Sequence, residues 1–165
     1  MAHAKEPIPD CDKALASYQK SCLSLFYPSL IGFLATALGF SLSMAADFQM
    51  SVSRSLGVYL AARPLSGNAA LSSAVSLAFA ALIVVLFAFL ALKAAKGKLW
   101  ALIVASALYL GDFAYGIALI FPVYGRMGIL DWSLALATHV VFLALFSLTF
   151  VKYVKLSRLF KKSRP

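Results

Sequence analysis

Apolar residues run almost unbroken through four long stretches of this chain, at about 23–48, 69–92, 99–121 and 132–151, with polar residues gathered between them. About 20 consecutive apolar residues cover the ~30 Å hydrocarbon core of a bilayer as an α-helix. Each stretch reaches that length, so the pattern predicts an all-α integral membrane protein built as a four-helix transmembrane bundle. Little of the chain lies outside these stretches, and no separate soluble domain is expected.

The punctuating residues fix the predicted boundaries. Pro28 falls in the first turn of helix 1, where its missing N–H matters least. Pro64 and Ser66-Gly67-Asn68 turn the chain into helix 2, and Lys96-Gly97-Lys98 makes a tight turn, so helices 2 and 3 are antiparallel neighbours. Asp131 is placed to cap helix 4, with Tyr124 and Trp132 at aromatic-belt positions. Residues 1–22 read as a leader, irregular around Pro7 and Pro9. A short interfacial helix then begins near Lys13 under an Asp12 cap, with Leu15 and Tyr18 toward the membrane. Between Ser51 and Asn68, the spacing of Val52, Leu56, Tyr59 and Leu60 predicts a helix resting on the outer surface, with Arg54 and Arg63 at headgroups. Ser43-Met44-Ala45 resembles a signal cleavage site. The preceding apolar stretch is longer than the roughly 7–15 residues of a signal core, so a retained helix is expected.

Charge orients this picture. The net charge is +9, but twelve of the fifteen Lys and Arg fall in three places. The leader holds Lys5, Lys13 and Lys20, the turn between helices 2 and 3 holds Lys93, Lys96 and Lys98, and the tail holds Lys152, Lys155, Arg158, Lys161, Lys162 and Arg164. Arg54, Arg63 and Arg126 occupy the other two loops. Four spans put the twelve on one side, as the positive-inside rule expects. Both termini are therefore expected in the cytoplasm, with residues 152–165 a basic cytoplasmic tail and the protein multi-pass in a cell membrane. Cations clustered in this way point to membrane lipids as partners and away from nucleic acid.

Cys11 and Cys22 fall on the predicted cytoplasmic side, where disulfides seldom persist. No C-x-x-C occurs, so thiol-redox chemistry is unsupported, and Cys22 reads as a small apolar residue at the membrane boundary. Helix 1 carries Gly32, Ala35, Gly39 and Ser43 along one stripe, and helix 2 carries Ala70, Ala74, Ala78 and Ala81. Such stripes let helix backbones approach closely. They are read first as packing within the bundle, and second as a face for a homo-oligomer or a membrane partner subunit.

The candidate chemistry is sparse. Asp112 is the one charged residue of the third stretch, and His139 the one ionisable residue of the fourth. An ionisable group in hydrocarbon costs roughly 2.5–3.5 kcal/mol on insertion scales and usually faces a partner or a cavity. At ~1.5 Å per residue, both lie at nearly the same depth in the outer half, with Ser76 and Ser43 close to that level. Tyr109 and Tyr115 share a helix face with Asp112, and Gly116 leaves room beside it. On helix 4 the face of His139 includes Ala135 and Phe142. Asp47 lies within reach of Arg54 or water. In the tail, Lys152, Lys155, Arg158, Lys161 and Lys162 recur at helical spacing and predict a helix continuing past the bilayer with contacts to lipid headgroups.

Three readings of this polar layer are open. It is a buried pair that fixes helix packing in a structural scaffold. It is the pocket of a ligand-binding, transport or accessory subunit, in which Asp112 attracts a cation or carries a proton beside a histidine, a side chain that changes charge near neutral pH. Or it is an intramembrane acid–base enzyme acting on a lipid-soluble substrate. One Asp with one His is too few ligands for a metal site. There is no glycine-rich phosphate loop and no G-x-S-x-G, so no cofactor and no catalytic residue are assigned.

Overall fold

Helices start and stop where local chemistry allows, and the described residues are helical nearly throughout. The computed structural model describes residues 9–37, 51–120 and 129–162, and no strand occurs among them. Helix α1 spans Pro9–Cys22, so it begins on a proline and a turn earlier than the Asp12 cap predicted. A 3₁₀ turn at Leu23–Leu25 leads into α2, Tyr27–Ala37. Helix α3 spans Ser51–Ala62, α4 spans Ala69–Ala95 and α5 spans Leu99–Tyr115, ending in a π-helical turn at Gly116–Ile120. Helix α6 runs unbroken over Ile129–Lys162, 34 residues or about 50 Å at ~1.5 Å per residue.

Among the described residues three segments are long and apolar enough to cross a membrane: Ala69–Ala95, Leu99–Ala118 and Leu136–Lys161. The predicted first span is described only as far as Ala37. Gly39, Ser43, Asp47, Tyr124 and Arg126 lie outside the described residues. The basic tail does continue the last helix, since α6 carries Lys152 through Lys161 without a break.

The α4–α5 hairpin is the frame of the molecule. Asn68 caps α4, its Oδ1 accepting from Leu71 N at 3.1 Å. At the other end Gly97 takes φ +78°, a conformation that a side chain would strain. There Gly97 N donates to Ala94 O at 2.7 Å and Lys98 N to Lys93 O at 3.2 Å, closing the last turn of α4. Ala91, Ala94, Ala101 and Ala105 are buried along the seam, and their small side chains let the two backbones close up. They are not the alanines of the predicted stripe. Ala70, Ala74 and Ala78 are exposed, and Ala81 is only half-buried. Of the helix 1 stripe, Gly32 is buried, and Gly39 and Ser43 lie outside the described residues.

Helix α1 belongs to the core. It packs against α4 and α6 at the hairpin end, and Tyr18, Cys22 and Leu25 join Phe87, Leu90, Ala94, Leu102, Phe146 and Leu156 in one buried cluster. The Tyr18 hydroxyl donates to Ala94 O at 2.7 Å, and its ring meets that of Tyr153 at 5.7 Å. Thr149 on α6 has its hydroxyl 2.9 Å from Leu145 O and 3.2 Å from Ser21 Oγ, and Ser24 reaches Ser21 O at 2.7 Å. Tyr18 thus lies between helices, where lipid contact was expected.

This docking has a chemical consequence. Cys22 is 1% exposed and Cys11 is only partly covered. Burial pushes the Cys22 thiol upward, and the thiolate is the nucleophile, so both access and ionisation slow its reaction. A maleimide added to the folded protein is expected to attach once, at Cys11, with a second adduct only after denaturation. Equal labelling rates, read by mass spectrometry, would refute the docking of α1.

Candidate functional site

Asp112 is 4% exposed and His139 is 5% exposed, on the facing helices α5 and α6. The predicted neighbourhood is real: His139 Nε2 lies 3.9 Å from Asp112 Oδ2. That separation is too long for a hydrogen bond. The close partners of the carboxylate are elsewhere. Ser51 N donates to Asp112 Oδ2 at 2.8 Å, and Val52 N donates to Oδ1 at 2.9 Å.

Those two N–H groups open α3. The first turn of a helix leaves backbone donors without intrahelical partners, and its end carries partial positive charge. Asp112 does the capping from sixty residues away in the chain. One carboxylate serves two donors, with an oxygen for each.

This geometry sets the level at which α3 starts. Asp112 lies about 20 Å along α5 from Leu99, at ~1.5 Å per residue. Ser51, 6% exposed, is therefore held deep in the bundle. From there α3 runs toward the opposite end from the hairpin. Gly57 faces Ser76, whose Oγ is 4.0 Å from where a glycine Cβ would stand. Past the helix end, Leu65 N donates to Ser72 Oγ at 2.8 Å. The expected helix between Ser51 and Asn68 thus exists, but it packs on α4 and α5 with its first turn inside the bundle. The reason is physical: two unpaired backbone donors and one buried carboxylate are each costly alone and satisfy each other.

His139 is held by rings. It stacks on Tyr109 at 5.5 Å and on Phe113 at 5.1 Å, both with an interplanar angle of 22°. Tyr109 also meets Phe142 at 6.2 Å and Phe146 at 5.1 Å. The two stacking residues are four apart on α5, so the imidazole spans one helical turn beside Asp112. Tyr115 turns to α3, donating to Ser55 Oγ at 3.1 Å. Asp112, His139 and Tyr109 are therefore brought together, Tyr115 braces α3 and Ser76 lines the α3–α4 contact. Ser43 and the side chains of Arg54, Asp131, Trp132 and Ala135 lie outside the described structure. Ser51, Val52, Ser55 and Phe113 were not among the expected site residues. Phe113 was within reach of it, being next to Asp112 and four from Tyr109.

Among the described residues no group of three or more His, Cys, Asp or Glu could hold a metal ion. One turn from Tyr109 toward the hairpin, the buried Ser106 Oγ has no hydrogen-bond partner. Of the cations read as headgroup contacts, Lys152 extends to Ser17 O at 3.5 Å, while Lys155, Arg158 and Lys161 are exposed. Comparison with known protein families, with curated proteins and with solved structures finds no match.

Proposed function

We propose that this chain is a multi-pass, four-helix protein of a cell membrane, with both termini cytoplasmic, that works as a non-catalytic accessory or scaffold subunit. In this reading the polar layer is a latch that holds α3 in place. The observation that carries it is the double acceptance by Asp112 of Ser51 N and Val52 N. A carboxylate that holds a backbone N–H on each oxygen ties α3 to α5. The grouping of twelve cations at the termini and at the α4–α5 turn supports the orientation. The exposed stripe of Ala70, Ala74 and Ala78 offers a face for a second copy or a partner helix.

A second reading, a proton- or cation-coupled site, is favoured by one observation: His139 Nε2 stands 3.9 Å from Asp112 Oδ2. Proteoliposomes separate the two. Under an imposed pH gradient, wild-type protein is expected to give no proton flux and no uptake of a fluorescent organic cation above empty vesicles. A flux that disappears in Asp112→Asn would establish the coupled site and overturn the latch. Orientation is tested by impermeant labelling of Ser66→Cys in intact cells, where labelling only after membrane disruption would invert the topology.

A further inference from the structure

Near its C-terminal end, α6 carries an open groove of about 590 Å³ lined by Phe150, Val151, Val154, Lys155, Arg158 and Leu159. We infer that this groove is a binding site for one anionic phospholipid of the adjoining leaflet. Its acyl chain would lie along Phe150, Val151 and Val154, with its phosphate on Lys155 and Arg158. The inference rests on the membrane placement proposed above, which sets this end of α6 at the cytoplasmic surface.

Three features select that occupant. The lining is ordered along the helix: the apolar side chains at 150, 151 and 154 precede the two cations, as a lipid's tail precedes its headgroup. Over this stretch α6 rises about 12 Å at ~1.5 Å per residue, a distance that spans the boundary between chain and phosphate. Lys155 and Arg158 are exposed and three residues apart, so they share a face. The guanidinium fork and the ammonium can then grip one phosphate from two sides. Finally, neither cation is in a salt bridge among the described residues, so the pair keeps its charge for a ligand. A zwitterionic lipid brings its own cation to this spot and gains less than a lipid of net negative charge.

Lys152 is set apart from the groove. It lines no part of it and reaches toward Ser17 O instead. Lys161, beyond Leu159, belongs to the general basic field of the tail. A groove site and a diffuse field therefore make different predictions for charge removal at different positions.

The test uses the full chain purified in a neutral detergent, with lipid retention read by native mass spectrometry, so its result does not depend on topology. Phosphatidylglycerol is expected to be retained about tenfold more than phosphatidylcholine, given two cations on one phosphate. Lys155→Gln with Arg158→Gln should abolish that preference, whereas Lys155→Arg with Arg158→Lys should keep it. Lys161→Gln with Lys162→Gln removes the same charge and should leave retention within about twofold. Equal losses in the two glutamine pairs would overturn the groove in favour of diffuse attraction. Inorganic phosphate at millimolar concentration should not displace the lipid; if it does, the site is an anion site with no use for its apolar floor. Retention unchanged by Val151→Ser with Val154→Ser would refute the floor in the same way.

Discussion

Asp112→Ala is expected to destabilise the protein by about 2–4 kcal/mol, since a buried donor stripped of its acceptor costs about 1–3 kcal/mol. The change strips the acceptor from two donors, the buried N–H of Ser51 and the part-buried N–H of Val52. Water cannot reach the first cheaply, because Ser51 is 6% exposed. Asp112→Asn should fall between wild type and alanine. Its one carbonyl oxygen can accept from one donor, but its amide then presents hydrogens to the other. His139→Ala acts differently, removing a ring from between Tyr109 and Phe113 and leaving a void, while the cap survives. Unfolding in detergent micelles gives the magnitudes, and amide hydrogen exchange gives the location. In Asp112→Ala the amides of α3 should lose protection first, with those of α4 and α5 little changed. Protection of α3 equal to wild type would mean that something other than Asp112 holds its first turn.

Asp112 is legible in the sequence, but its main partner is not. A lone carboxylate in an apolar run is conspicuous because its burial is costly, and the helical rise placed His139 at the same level from sequence alone. Backbone N–H groups have no letter in the sequence. The start of α3 is a binding partner because its first turn is folded inward, and that depends on tertiary packing. Amphipathic spacing in Val52, Leu56, Tyr59 and Leu60 did announce the helix. It could not distinguish a membrane surface from the flank of a helical hairpin, since both accept an apolar face.

The same limit explains the alanines. In an alanine-rich helix several small-residue stripes coexist, and spacing alone does not choose among them. The hairpin chose the buried Ala91 and Ala94 because Gly97 closes the turn tightly just beyond, bringing the backbones nearest at that end. Toward the opposite end α3 covers part of α4, leaving Ala70, Ala74 and Ala78 outside. Composition and length carried the class of fold, and the three helices able to cross a membrane follow from it directly. Which faces meet was decided by turns and caps.

Tyr18→Ala is expected to cost about 3–5 kcal/mol, the range for truncating a large buried aromatic side chain. The residue is fully buried, and with Cys22 and Leu25 it is the means by which α1 enters the core. Its loss should release α1, so that Cys22 now reacts with maleimide at the rate of Cys11. Tyr18→Phe keeps the ring and removes only the hydrogen bond to Ala94 O, a change of about 0.5–1.5 kcal/mol. The carbonyl stays partnered, because Gly97 N also donates to it. Wild type and Tyr18→Phe differ in pH dependence as well. Burial, reinforced by the neighbouring Cys22, pushes the Tyr18 phenol above its ordinary value near 10. The folded protein then holds a proton that the unfolded chain gives up. That contribution to stability is complete below about pH 10 and is lost as pH rises above it. Wild-type protein should therefore lose stability between about pH 10 and 11 faster than Tyr18→Phe, which has no phenol to ionise there. Parallel alkaline profiles for the two would show that position 18 is solvated, and that α1 lies on the bundle without entering it.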